Sequence, residues 1–355
     1  MKLLNTFKGK KIFLTGHTGF KGSWMLVLLH HLGAQVKGYA LEAEQTSLYR
    51  QIDGDLMCDS VIADLRDADR LNTEIKQFSP DFVFHFAAQP LVIDSYNDPK
   101  YTFDVNIGGT VNVLEAFRKL DHPCSLLAIT TDKVYKNKES SIPYQESDEL
   151  GGHDPYSASK AAMEIVLQSY INSFGLNGQN QKTSVIGRAG NVIGGGDWAT
   201  NRIVPDIARS LLKNETLVLR NPHAIRPWQH VLDALMGYLL AIAQSHISEN
   251  YIYNFGPDTE EKINVEDLTK IAMKVTGRGN YTIDQNLTAL KETGQLLLDS
   301  NRAKKELGWR PVWNGQEAIS QAMNWYLRYE GGEEPLHICQ TNISNYLESA
   351  KNQYV

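Results

Sequence analysis

Two groups of residues in this 355-residue chain have the types and spacing that chemistry requires. The first is Tyr156-Ser157-Ala158-Ser159-Lys160. On a helix, its phenol and ammonium stand at i and i+4 and share one face. A neighbouring ammonium favours the phenolate, which makes Tyr156 usable as a base well below its ordinary pKa of about 10. Asp154-Pro155, just ahead, is a helix-start signal. The second group, Thr130-Thr131-Asp132-Lys133, closes an apolar run. A hydroxyl, a carboxylate and an ammonium side by side can serve as donor, acid and base. A third stretch, Gly16-His17-Thr18-Gly19-Phe20-Lys21-Gly22, is suited to holding a ligand rather than reacting with it. Its glycines permit a tight turn, close approach of a pyrophosphate and close helix packing, and the helix that follows offers free N–H groups to phosphate.

These groups need a scaffold, and the first half of the chain supplies the pattern of one. Apolar runs at Lys11–Thr15, Gln35–Ala40, Val61–Ala63, Asp81–Phe86, Ser125–Thr130 and Thr183–Arg188 read as strands. Helical patterns at Ser23–Leu32, Leu71–Phe78, Tyr101–Leu120 and Tyr156–Phe174 lie between them. Strands alternating with helices predict a Rossmann-type, doubly wound parallel sheet covered on both faces. Ligands then bind at the carboxyl ends of the strands. His85-Phe86-Ala87-Ala88 ends one strand in small residues, as such a site requires. Residues 1–195 are expected to form a dinucleotide-binding domain that includes the Tyr156–Lys160 helix. Residues 196–355 are expected to form mainly a smaller mixed α/β substrate-binding domain, with some chain crossing back to the sheet. Helices are predicted there at Leu232–Gln244, Val265–Thr276 and Gln316–Arg328, with a strand at Tyr251–Phe255; the tail after Gly331 is the least readable part.

The rest of the composition narrows the class. Lys and Arg total 35 against 41 Asp and Glu, a net charge of −6, which argues against a nucleic-acid binder. No uncharged apolar stretch is long enough to span a membrane, and the polar, basic start has no leader-like apolar run behind it. The three cysteines are scattered, without a Cys-x-x-Cys, so neither a disulfide framework nor a metal site is expected. A reduced, soluble, cytoplasmic α/β protein is expected on these grounds. The second strand ends Lys37-Gly38-Tyr39-Ala40, without the acid that usually clamps the adenosine ribose and without an Arg for a 2′-phosphate. Asp64, followed by Leu65, is the better candidate for the adenine, although a solvated turn acid reads the same way. His17 adds an imidazole to the turn that must admit the pyrophosphate, so the dinucleotide is expected to be held loosely.

On the motifs quoted, the chain resembles the extended short-chain dehydrogenase/reductase superfamily and, within it, the nucleotide-sugar 4,6-dehydratases. Their CDP-glucose branch is brought to mind by Gly16–Trp24, Thr131–Tyr135, Arg188–Trp198 and Arg226–Val231. The resemblance implies NAD as a recycled cofactor, a nucleotide-sugar substrate and a homodimer or homotetramer. It implies that Thr131, Tyr156 and Lys160 form the catalytic triad, with Asp132 protonating the departing C6 hydroxyl. Most such enzymes have Glu next, as the base at C5; this chain has Lys133, which leaves the base open. On the cofactor side it implies Gly16, His17, Thr18, Gly19, Phe20, Lys21, Gly22, Asp64, Leu65, Ala87 and Ala88, together with Tyr156 and Lys160. On the substrate side it implies Gln89, Asn191, Asp197, Arg202 and Arg226, the last a guanidinium fork suited to diphosphate oxygens. His230 can touch that phosphate or serve packing. Asn106 resembles the superfamily residue that braces the active-site helix. Two rival readings stand beside this one. A nucleotide-sugar 4-epimerase shares the triad but eliminates nothing, so it has no use for Asp132 and Lys133. A non-catalytic dinucleotide-binding regulator would typically lack the triad.

Overall fold

The computed structural model describes residues 2–138, 141–178, 181–200, 202–248, 250–258, 260, 262–283 and 296–353. The first half runs β1 (Lys11–Thr15), α1 (Phe20–His31), β2 (Gln35–Ala40), α2 (Leu48–Gln51), β3 (Asp59–Ile62), α3 (Ala68–Phe78) and β4 (Phe82–His85). It continues through α4 (Val92–Asn97), α5 (Pro99–Phe103), α6 (Thr110–Arg118), β5 (Cys124–Ile129), α7 (Pro155–Ser173) and β6 (Lys182–Ala189). The second half contains β7 (Val192–Ile193), α8 (Ile203–Lys213), β8 (Leu217–Leu219), β9 (Gln229–His230), α9 (Val231–Ala243) and β10 (Ile252–Phe255). After these come α10 (Val265–Thr276), β11 (Tyr281–Ile283), α11 (Asn301–Glu306), α12 (Gly315–Glu330) and α13 (Pro335–Ser349).

The main sheet has seven strands in the order β10-β6-β5-β4-β1-β2-β3, all parallel. Its central strands β1, β4 and β5 are largely apolar because both faces are covered. Along them, alternate side chains enter opposite layers. Ile12, Leu14, Phe84 and Leu127 face the layer containing Trp24 of α1 and Leu235 and Leu239 of α9. Phe13, Val83 and Leu126 face Leu71 and Ile75 of α3, Phe117 of α6, and Met163 and Leu167 of α7. Strand order reverses between β1 and β4, so a crevice opens at their carboxyl ends. The two strands meet there closely: Thr15 Oγ1 accepts from the N–H groups of Phe86 and Ala87, both at 3.1 Å.

Within the 196–355 stretch, α9 and β10 belong to the main sheet and its helical layer; β8 pairs with β11, and β9 pairs with β7 from just before it, both in parallel. The expected helix at Tyr101–Leu120 is instead α5, one π-helical turn (Asp104–Gly109) and α6. Leu65 explains the tightness there, because a Cβ on Gly109 would lie 2.5 Å from its Cδ2. The tail, unreadable in sequence, is the helix α13, which buries Ile338, Cys339, Ile343 and Tyr346 in the larger core. Among the described residues no helix is long and apolar enough to cross a membrane, and the three cysteines are free.

α13 is tied down through Asp233, a buried carboxyl on α9. Its Oδ1 accepts from Val312 N at 2.7 Å and from the Tyr346 hydroxyl at 2.8 Å, while Oδ2 has no partner. Burial pushes its pKa up to about 7, against those hydrogen bonds. Between the ordinary carboxylate pKa and that value, the folded state keeps a proton that the unfolded state has lost. Asp233 therefore costs stability as pH rises through this window. Asp233→Asn keeps the acceptor and removes the charge. Its melting temperature relative to wild type should climb by several degrees between pH ~5 and ~8. A difference that stays constant with pH would refute the assignment.

Candidate active site

The glycine turn is shaped for close approach. Gly16 has φ +75°, and a Cβ there would lie 2.7 Å from Ala87 N; a Cβ on Gly22 would lie 2.0 Å from Gly16 O. The N-cap of α1 is Gly19, and no side chain caps the first turn, so its N–H groups remain available. Thr18 leans outward to Leu41 O at 3.0 Å. Such a cradle fits a dinucleotide pyrophosphate.

His17 does not crowd it, which corrects the sequence-based expectation. Its ring is fully buried beneath the turn, edge-on to Tyr49, with Nε2 2.8 Å from Ser60 Oγ. A Cβ on Gly38 would strike the ring at 2.5 Å, so the glycine in β2 makes room for it. Burial, opposed by Asp55, lowers its pKa to about 4, so the ring is neutral and offers phosphate no charge. The missing acid at the end of β2 is then the remaining reason to expect loose binding. Asp64 is already engaged: Arg66 donates to its carboxylate from the backbone at 2.8 Å and from Nη2 at 2.7 Å. Leu65 is buried against Gly109. Ala87 and Ala88 sit half-buried at the mouth of the β1/β4 crevice.

α7 begins with a complete capping box: Asp154 Oδ1 accepts from Ser157 N at 2.9 Å, and Pro155 sits in the first turn. This start fixes the rotation of the helix, which turns Tyr156 and Lys160 inward. Lys160 is 4% exposed and its Nζ donates to Ile129 O at 3.4 Å. Asn106 braces the same helix, donating to Ser159 Oγ at 2.8 Å, and its Oδ1 accepts from Gln89 N at 2.9 Å. Facing α7, the chain leaves β5 extended at Thr131 and enters a 3-10 turn over Asp132–Val134. Thr131 Oγ1 donates to Asp132 Oδ1 at 2.9 Å, and its hydroxyl lies close enough to the Tyr156 phenol to favour the phenolate. Lys133 Nζ lies 3.8 Å from Asp132 Oδ1. Thr131, Asp132, Lys133 and Tyr156 therefore converge, with Lys160 one helical turn along α7 against the end of β5.

The electrostatics differ from the simple phenol–ammonium picture. Burial pushes Tyr156 up to about 12, with the Thr131 hydroxyl working against it. The net effect of the surroundings on the resting phenol is upward, the reverse of the expectation from spacing alone. Lys160 is lowered to about 7 by burial and by Lys21, with Glu164 opposing. Lys21 itself is lowered to about 8 by burial, then Arg202, while Asp132 opposes. Lys21 thus lies within electrostatic range of Asp132 and Lys133 as well as in the glycine turn. Sequence position suggested only the latter, since a residue on the inner side of a first helical turn can point back across the crevice.

The substrate-side residues divide. Asn191 has a buried Nδ2 without a partner, a donor awaiting an acceptor. Asp197 Oδ2 holds Arg202 Nη1 at 3.0 Å at the edge of the centre. The loop carrying Asp197 is clamped: a Cβ on Gly195 would lie 1.9 Å from the Trp325 ring, Trp24 Nε1 donates to Gly195 O at 3.0 Å, and the Tyr326 hydroxyl donates to Asp197 O at 2.6 Å. Arg226 is half-buried and donates to Ile225 O at 3.0 Å. Two expectations are corrected. The Gln89 amide is consumed by its own loop, bonding Leu91 N, Leu91 O and Thr102 Oγ1, which leaves it a loop brace. His230 is fully buried between Trp24 and Trp313 and caps α9 by accepting from Leu232 N at 3.2 Å; burial lowers its pKa to about 3. It packs instead of reaching phosphate. Among the described residues, no group of three or more His, Cys, Asp or Glu side chains is placed to hold a metal ion.

Comparisons with known proteins agree with this architecture. The family described as GDP-mannose 4,6 dehydratase matches residues 13–322. A CDP-glucose 4,6-dehydratase of Salmonella typhimurium is 40% identical over 354 residues, covering 97% of this chain and 98% of that protein. The UDP-glucose 4-epimerase of Thermus thermophilus, solved with NAD, is 25% identical at a TM-score of 0.77, covering 89% of this chain and 99% of its own. The dTDP-glucose 4,6-dehydratase of Streptomyces venezuelae, also solved with NAD, superposes at 0.76 with 24% identity, covering 92% and 99%.

Proposed function

The chain belongs to the GDP-mannose 4,6 dehydratase family, and from that premise we propose that it converts CDP-glucose to CDP-4-keto-6-deoxyglucose with NAD as a recycled cofactor. The observation that carries the substrate is the 40% identity, across nearly the whole of both chains, to a CDP-glucose 4,6-dehydratase. Asp132 beside Thr131 supports dehydration over epimerisation, because only elimination needs an acid at C6.

NAD held at the glycine turn would supply the hydride acceptor for C4 and, once reduced, the hydride donor for C6. The protein's task is to move protons. Tyr156 takes the C4 hydroxyl proton. Thr131, bonded to Asp132 and beside the Tyr156 phenol, offers that proton a route to Asp132, which delivers it to the C6 oxygen. The C6 oxygen then leaves as water, and the C4 ketone makes the C5 proton acidic. A base takes that proton and gives it back to C5 as C6 is reduced. We propose Lys133, whose Nζ lies 3.8 Å from Asp132 Oδ1, as this base, acting through its neutral amine. The ledger closes: the lost water consists of the C4 hydroxyl proton and the C6 hydroxyl. Arg226, Arg202 and Asn191 supply donors for the diphosphate and sugar.

The reading extends to a cytoplasmic homodimer or homotetramer that binds no nucleic acid and whose product feeds deoxysugars for surface polysaccharide, including O-antigen. Its test is turnover on CDP-glucose with NAD far below substrate. Product should exceed NAD many-fold, with a mass loss of one water and no net reduction of the nicotinamide. Stoichiometric reduction would mark an ordinary dehydrogenase, and recovery of an isomer of unchanged mass would mark an epimerase.

A further inference from the structure

Behind the reacting residues lies a buried ion pair that the steps above do not use. Glu164 follows Lys160 by one helical turn and shares its face of α7. Arg188, on β6, donates from Nε to both carboxylate oxygens, at 2.9 and 3.0 Å, and pairs with Oε2 through Nη2. Glu164 is 0% and Arg188 1% exposed. Buried ions persist only where their remaining hydrogen-bonding groups are satisfied. Here those extra contacts fall on both ends of the reacting turn. Glu164 also accepts from Thr130 Oγ1 at 2.5 Å. Arg188 Nη1 donates to the Tyr135 hydroxyl at 2.7 Å, with the guanidinium 4.8 Å over the Tyr135 ring. Tyr135 in turn donates to Asn254 Oδ1 at 2.7 Å. Thr130 and Tyr135 bracket Thr131-Asp132-Lys133. The pair thus fastens that turn, at both ends, to the helix that carries Tyr156 and Lys160.

We propose that Glu164 and Arg188 are positioning residues for the dehydration, clamping the Thr131-Asp132-Lys133 turn against α7 and so fixing the separation of the Thr131 and Tyr156 hydroxyls. The inference rests on the function proposed above. It also has an electrostatic consequence. Lys160 is faced by Lys21 from α1, by His85 from β4 and by Glu164 from its own helix. Of these, Glu164 supplies the negative charge that opposes the lowering of the Lys160 pKa.

A purely structural ion pair would change melting temperature and leave kcat alone, so the test reads both on the full chain. Thr130→Val removes one contact to Glu164 and leaves the ion pair whole. The double variant Glu164→Gln/Arg188→Met replaces the pair with neutral groups of similar size, avoiding an uncompensated buried charge. Misplacing reacting groups by about 1 Å costs on the order of 10²-fold, so Thr130→Val should lower kcat by about ten- to a hundredfold. Its KM for CDP-glucose should stay within about twofold, since ground-state binding is untouched. The double variant should lose kcat similarly, and the alkaline limb of its kcat–pH profile should move to lower pH by about one unit. Should the double variant fail to fold, Thr130→Val decides alone. A folded Thr130→Val enzyme with wild-type kcat overturns the inference. Wild-type protein that leaves CDP-glucose unchanged overturns the function and this inference with it, whereas active wild type with unimpaired variants overturns the inference alone.

Discussion

Tyr156→Phe is expected to abolish the first chemical step. The ring stays, so the packing of this 8%-exposed side chain at the start of α7 is kept. What disappears is the oxygen that takes the C4 proton. Hydride leaves C4 only as the hydroxyl becomes alkoxide-like, so no later group can compensate. General acid–base catalysis is worth about 10²–10⁴-fold, and the loss should lie at or beyond the upper end of that range. Mixing the variant with CDP-glucose and NAD should yield neither reduced nicotinamide nor a 4-keto sugar, while equilibrium binding of CDP-glucose stays near wild type. Burial raises the Tyr156 phenol to about 12, so wild-type oxidation should also quicken with pH until the fold or another group limits it. A Tyr156→Phe enzyme that oxidises at the normal rate would remove Tyr156 from the mechanism.

Asp132→Asn should stop the reaction one step later. Asparagine matches the shape and can still accept from Thr131, but it cannot deliver a proton to the C6 oxygen. Unprotonated hydroxide is a poor leaving group, so elimination should slow by about 10²–10⁴-fold. Oxidation at C4 should survive, because Tyr156 and Lys160 are untouched. Rapid-quench mass spectrometry of a single turnover should therefore show a 4-keto nucleotide sugar that has not lost water. Lys133→Met should give the same accumulation if Lys133 takes the C5 proton. If Lys133 only orients the substrate, that variant should raise KM with no such accumulation. Normal dehydration by Asp132→Asn would sink its assignment as the acid.

Local sequence was enough to set the scaffold. β1 and β2 match the apolar runs that mark them, and α10 begins and ends where its periodicity does, because strand burial and helix amphipathicity depend on neighbouring residues. The glycine turn was legible in part for the same reason: a Cβ on Gly22 would collide with Gly16 O six residues back, whereas the neighbour that Gly16 makes room for is Ala87, just past the end of the adjoining strand. The kinds of groups at the site could also be read, since spacing on a helix places Tyr156 and Lys160 on one face. Tertiary structure alone decided how those groups are used. His17 and His230 stand inside ligand-binding motifs, yet both turn into the core, against Tyr49 in one case and between Trp24 and Trp313 in the other. Gln89 spends its amide on Thr102 and its own loop. Lys21 comes within electrostatic range of Asp132, and Glu164 of α7 meets Arg188 of β6, because side-chain direction and long-range pairing are set by packing between distant segments. The clearest case is α13, whose apolar face gave no readable signal until α1 and α12 lay against it. Burial of that kind belongs to the assembled core, and no window of local sequence contains it.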